Sequence, residues 1–172
     1  ILYEGKDAKS TFKKLTDKTA ILGLSSFEHN YVDPINKILA DNKQVIESCD
    51  NLIIDVRNNL GGVYEAYENI FPYILTNEVR GLGMEFLATE TLIDEVKTWY
   101  DDEEGEKKAA EWIKMFRRKL GEFVNTDSTD VYINKIILAE HSPKQVVILA
   151  NNRTASSGEA FVFEAKQSKK VK

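Results

Sequence analysis

The sequence predicts an α/β fold: a mostly parallel sheet with helices covering it. Three observations predict it. Residues 18–24, 51–56 and 145–150 are short apolar runs bounded by polar residues, the pattern of buried strands. Stretches with helical spacing follow each of them. The resulting order, strand and helix in alternation around one insertion, is that of a covered parallel sheet.

The elements are justified in order along the chain. Lys18-Thr19-Ala20-Ile21-Leu22-Gly23-Leu24 reads as the first strand. Asp33-Pro34 reads as an N-cap followed by proline at the first helical position. Ile35, Ile38, Leu39, Val45 and Ile46 then form a buried stripe to about Ser48. Asn51-Leu52-Ile53-Ile54-Asp55-Val56 is the second strand, and residues 57–62 form a turn-rich loop. Tyr64, Tyr67, Ile70, Phe71 and Ile74 recur at helical spacing. Residues 78–89 are irregular, with Met84, Phe86 and Leu87 as the expected strand core. Residues 92 to about 124 read as helical through Val96, Trp99, Trp112, Ile113, Phe116 and Leu120, divided by an exposed acidic turn at 101–106. This helical insertion is expected to run from about 90 to 141. Gln145-Val146-Val147-Ile148-Leu149-Ala150 is a further strand, 154–159 a turn, and 160–166 a helix. There is no internal repeat and no low-complexity tract.

Composition narrows the function classes. The chain has 172 residues, enough to bury a sizeable core. Lys+Arg is 23 and Asp+Glu is 28, a net charge of −5. That balance disfavours nucleic acid and anionic membranes, which need a basic footprint. No apolar run approaches the ~20 residues of a membrane span. The single Cys49 excludes an internal disulfide and a multi-cysteine metal site, and His29 and His141 leave little for a histidine site. The chain starts at Ile1-Leu2-Tyr3 and ends at Lys169-Lys170-Val171-Lys172, so it reads as a segment lacking parts at both ends.

Two strand-to-loop junctions carry the chemistry, because ligands bind at the carboxyl ends of strands in open α/β sheets. The first is Arg57-Asn58-Asn59-Leu60-Gly61-Gly62. Paired glycines let backbone N–H groups approach a substrate closely, as an oxyanion hole or a phosphate cradle. Taken alone, the segment is better explained as ordinary loop chemistry. The second is Thr154-Ala155-Ser156-Ser157-Gly158-Glu159. A serine between a buried strand and a helix N-terminus is well placed as a nucleophile. Ser156-x-x-Glu159 also fits a capping box. No G-x-S-x-G nucleophile elbow is present.

A serine nucleophile needs a base. The sequence places neither His29 nor His141 near Ser156, and Lys166, Lys169 and Lys170 read as a solvated helix end. The acidic run at 101–106 lacks the spacing of an EF-hand calcium loop.

Together the two junctions resemble the C-terminal-processing (tail-specific) serine peptidases and the tricorn protease core. The family pattern is an apolar strand ending in Asp-x-Arg-x-Asn-x-Gly-Gly, then Thr-x-Ser-x-x-Glu. Here these are Asp55-Val56-Arg57-Asn58-Asn59-Leu60-Gly61-Gly62 and Thr154-Ala155-Ser156-Ser157-Gly158-Glu159, with Leu60 where a small residue is usual. The resemblance implies a ClpP/crotonase-like fold for a partial serine peptidase catalytic domain over 1–172, and hydrolysis of peptide bonds in peptides or unfolded proteins. It assigns the nucleophile to Ser156, one oxyanion donor to Gly61 or Gly62, and the other to the Ser157 N–H. It implies no metal and no organic cofactor, and it suggests an exported or cell-envelope location in bacteria. The family's lysine base would fall beyond Lys172, and its alternative histidine base belongs upstream of Lys18. Neither base is therefore assigned within the chain, and the segment alone is expected to be catalytically silent. Two other readings share the fold: a non-catalytic peptide- or ligand-binding module, and acyl-CoA chemistry.

Overall fold

The computed structural model describes residues 9–100, 102–127 and 129–172. Ile1-Leu2-Tyr3 and Asp101 of the acidic run lie outside the described residues. In chain order the elements are β1 (Thr11–Lys14), β2 (Thr19–Gly23), α1 (Val32–Asp41), α2 (Lys43–Ser48), β3 (Asn51–Asp55), α3 (Phe71–Ile74), β4 (Val79–Leu82), β5 (Glu85–Leu87), α4 (Glu90–Val96), α5 (Glu103–Arg118), β6 (Phe123–Asn125), β7 (Val131–Asn134), β8 (Gln145–Leu149) and α6 (Ser157–Ala165). They divide into two compact units. One holds the described residues up to Val79 together with Asn134–Lys172, and the other is Arg80–Ile133.

The first unit is built on a sheet of order β1-β2-β3-β8. The three strands expected from their apolar runs, β2, β3 and β8, pair in parallel. Gly23 stands opposite Asp55, and Asp55 opposite Leu149, so all three strands end level. Parallel pairing sends each chain out over the same sheet edge. Residues 56–62 and 150–156 are therefore launched side by side. The ladder continues one step further, with Leu24 N–H donating to Asp55 C=O at 2.9 Å and Val56 N–H to Leu149 C=O at 2.9 Å.

The antiparallel edge strand β1 was not legible in the sequence. Its four residues carry Lys13 and Lys14, both exposed, which protect an open edge and hide the strand pattern. At the other side Val171 adds a single parallel bridge to Val146.

The stripe expected from Ile35 to Ser48 exists, but as two helices. Asn42 interrupts it, its side-chain amide donating to the Ile38 carbonyl at 2.8 Å. Helix α1 begins at Val32 with Tyr31 at its cap, so Asp33 lies inside the first turn, not at the cap. A carboxylate there still favours the helix N-terminus. The Tyr64–Ile74 stretch resolves into two 3-10 turns, Tyr64–Ala66 and Glu68–Ile70, and the short α3. Its rings seat α6. Phe161 stacks on Phe71 at 5.8 Å and meets Tyr67 edge-on at 5.5 Å, while Phe27 packs against it at 5.8 Å. Truncating so buried a ring costs about 3–5 kcal/mol.

The second unit has its own core of Ala88, Ile93, Val96, Ala109, Phe116 and Val124. It begins earlier and ends sooner than the expected insertion, and it is not purely helical. β5 pairs with β6 and β4 with β7 in two-stranded ribbons. Strands of three or four residues leave too little alternation to read, which is why Val124 was expected in a helix. The acidic run is a helix start: Asp102 accepts the Gly105 N–H at 2.8 Å, and Glu103, Glu104 and Glu106 fill the first turn of α5. Among the described residues no cluster of side chains could hold a metal ion, and no helix is long and apolar enough to cross a membrane.

Glu164 on α6 is buried, and among the described residues its Oε2 finds no hydrogen-bond partner. Burial pushes its carboxyl above the ordinary value of 4.5. The folded chain thus holds this proton more tightly than the unfolded chain does. The resulting stability is fully present below 4.5 and is lost as pH rises through the folded-state value. Glu164→Gln is therefore expected to raise the unfolding midpoint at pH 7, with the gain shrinking towards pH 4. Thermal melts across that range check it; a gain that grows as the pH falls contradicts it.

Candidate active site

The loop after β3 and the loop before α6 are locked together by side chains from both. Asp55, buried at the end of β3, holds Arg57 in a fork, with Nε at 2.9 Å and a terminal guanidinium nitrogen at 2.6 Å. Asn58 takes a positive φ of 63°. It exchanges two 3.0 Å bonds with Asn151: its N–H donates to Oδ1, and the Asn151 amide donates back to Asn58 Oδ1. Thr154 is buried and donates to the Val56 carbonyl at 3.0 Å, while accepting the Asn151 N–H at 3.1 Å.

Asn59 is fully buried and joins three segments. Its side-chain N–H donates to the Leu24 carbonyl at 3.1 Å, and its Oδ1 accepts the Gly61 N–H at 2.9 Å. Its own carbonyl accepts the Ala155 N–H at 3.0 Å. The sequence signalled Asn59 and Thr154 only as members of a pattern. What each does became visible when the loops met.

Gly61 and Ser156 are brought into contact. A Cβ added at Gly61 would lie 2.7 Å from Ser156 Cβ and 2.8 Å from the Ser157 nitrogen, and Gly61 has a φ of 97°. Only glycine fits there. Gly62, with φ 145°, lies against Phe27, whose carbonyl accepts the Val63 N–H at 2.7 Å. The two glycines, expected as interchangeable donors, differ in availability. The Gly61 N–H donates to Asn59 Oδ1 and Gly61 is buried. Gly62 is exposed, and among the described residues its N–H meets no acceptor; nor does that of Ser157.

Ser156 is exposed at the N-cap of α6 with φ 52° and ψ −127°. Its hydroxyl makes no capping bond, so the capping-box reading fails. Glu159 meets Ser156 only through the backbone, its N–H donating to the Ser156 carbonyl at 2.9 Å. A serine held at positive φ stores about 1–3 kcal/mol of strain, and such strain gathers at functional sites. Although no G-x-S-x-G is present, the serine sits in a sharp, strained turn between strand and helix.

None of the candidate bases hydrogen-bonds Ser156: among the described residues no side chain hydrogen-bonds its hydroxyl. His29 is exposed, two residues beyond the Phe27–Gly62 bridge, and His141 is exposed beside Glu140, at 3.9 Å. Lys166, Lys169 and Lys170 follow the far end of α6, whose nine residues span ~13 Å. Lys170 is half-buried rather than solvated: it donates to Ser142 Oγ at 2.9 Å, and burial pushes its ammonium down.

The sequence model of peptidase family S41 matches residues 18–172. The chain belongs to peptidase family S41. A search of the curated proteins finds no match to it. Among solved structures it is similar to the photosystem II D1 C-terminal processing protease, at 16% identity and a TM-score of 0.53, over 94% of this chain and 34% of that one. It is similar to mature CPAF at 11% identity and a TM-score of 0.55, over 89% of this chain and 36% of that one. It also resembles a lipoprotein from Streptococcus agalactiae, at 15% identity and a TM-score of 0.52, over 95% of this chain and 48% of that one. The S41 chain thus spans less than half the length of these structures. The likeness establishes the fold, a mixed α/β architecture on a mostly parallel sheet.

The strain at Ser156 is directly measurable. Glycine adopts positive φ freely, and the strain outweighs glycine's extra unfolded-chain entropy of about 0.4–1 kcal/mol. Ser156→Gly is expected to raise the urea midpoint above that of the wild type. A cap function would lower it instead.

Proposed function

We propose that this S41 chain contributes the nucleophile and the oxyanion hole of a serine peptidase. Ser156 attacks the peptide carbonyl. The Gly62 and Ser157 N–H groups receive the negative charge that develops on its oxygen. One observation carries the reading: a serine held in a strained turn lies against Gly61, with the N–H groups of Gly62 and Ser157 left open among the described residues. Asn59 supports it by withdrawing the Gly61 N–H and leaving Gly62 as the available donor. Oxyanion stabilisation depends on donors fixed before the reaction starts, and this loop pair is cross-tied at Asn58, Asn59 and Thr154.

The general base comes from outside these residues. General-base catalysis contributes typically 10²–10⁴-fold, so the segment by itself leaves Ser156 a neutral hydroxyl. Peptides or unfolded proteins are the substrates. A non-catalytic peptide-binding module on the same fold is the second reading, favoured by the missing partner of the Ser156 hydroxyl.

Peptide hydrolysis by the full-length protein separates the two. Ser156→Ala is expected to lower kcat by about 10³-fold or more with folding intact. Hydrolysis unaffected by Ser156→Ala contradicts the reading, and binding of peptide without any turnover supports the binding module. Strong activity of the isolated segment, lost on His29→Ala without unfolding, would place the base within the chain.

A further inference from the structure

The sequence gives Ser157 one expected role, a backbone N–H that any residue would supply. The structure adds its side chain. Ser157 Oγ donates to the Gly62 carbonyl at 2.6 Å, linking the start of α6 to the glycine loop. The two residues lie 95 positions apart in sequence, so this bond ties together the two arms that carry the open N–H groups.

Gly62 is where such a tie matters. It lacks a side chain, it is exposed, and its φ of 145° lies where other residues rarely go. On one side the loop is anchored by Phe27, through the Phe27 N–H to Gly61 C=O bond at 3.0 Å and the Val63 N–H to Phe27 C=O bond at 2.7 Å. Those bonds fix the carbonyl before Gly62 and the amide after it. The Gly62 N–H and the Gly62 carbonyl complete the same two peptide planes. The Ser157 hydroxyl holds the second plane from the side of α6, and through the Gly62 Cα that joins the two planes it restrains the first, which carries the Gly62 N–H.

We propose that the Ser157 hydroxyl is a positioning residue: it holds the Gly62 peptide so that the Gly62 and Ser157 N–H groups converge on one oxyanion. The inference rests on the peptidase reading above and adds to it a side chain that the reading does not require. A misaimed donor loses part of what a removed donor loses, and removing one costs about 10²–10³ in kcat. The hydroxyl acts on the transition state through the loop and touches no substrate, so its loss falls on kcat rather than KM.

The test compares Ser157→Ala, Ser157→Thr and Ser156→Ala in the full-length protein on one peptide substrate. Ser157→Ala is expected to lower kcat by about tenfold or more, with KM and the melting temperature near wild type. Ser157→Thr, which keeps the hydroxyl, is expected to restore most of the rate. The rate of fluorophosphonate labelling of Ser156 should follow the same order. Ser157→Ala with wild-type kcat overturns the inference while leaving the peptidase reading standing. So does an Ala loss that Thr fails to rescue in a protein that still folds. A wild type without Ser156-dependent hydrolysis overturns both.

Discussion

The buried side-chain amide of Asn59 answers one donor and one acceptor that no other group among the described residues reaches. It caps the Leu24 carbonyl beyond β2 and takes the Gly61 N–H, while its own carbonyl holds Ala155. A buried polar group left without a partner costs about 1–3 kcal/mol, so losing any one of these bonds penalises the loop. Their effect is to fix where Gly61 stands. Gly61 in turn leaves no room for a side chain against Ser156. The contact between the two loops therefore depends on an amide that meets no substrate.

The sheet makes that amide possible. Because β2, β3 and β8 end level and run in parallel, three chain segments separated widely in sequence leave the same edge within hydrogen-bonding distance of one another. An antiparallel arrangement would send one of the loops to the opposite edge. Below the edge the Phe27, Tyr67, Phe71 and Phe161 rings hold α6 against the core, so the serine turn has a rigid helix behind it. Strain at Ser156 can persist only on such a base. This is the chain of dependence: apolar register sets the edge, the edge brings Asn59 to its partners, and Asn59 seats the glycine loop under the serine.

Much of this was readable from residues alone. Ile53-Ile54 announces a buried parallel strand because both faces of such a strand are apolar, whereas Val146-Val147-Ile148 marks a parallel strand that lies at the end of the sheet with Val147 exposed. The two junctions were legible as motifs, and their common family is the one to which the chain belongs. What stayed hidden was relational. Nothing in the local sequence separates Gly61 from Gly62; only the Asn59 side chain does. Ser156-x-x-Glu159 looks like a capping box until the serine φ of 52° turns the hydroxyl away from that role. The Ser157 bond to Gly62 joins residues too far apart for spacing to reveal. In the second unit Phe86 and Leu87 marked β5, while β4, β6 and β7 escaped because three or four residues show too little alternation to read.

The central claim is that Ser156, and not its neighbour, is the nucleophile. The most direct measurement is to react the full-length protein with a fluorophosphonate and locate the adduct by tandem mass spectrometry. The account predicts a single stoichiometric adduct on Ser156, abolished by Ser156→Ala and retained, more slowly formed, in Ser157→Ala. An adduct on Ser157, or labelling that survives Ser156→Ala at the wild-type rate, would contradict it.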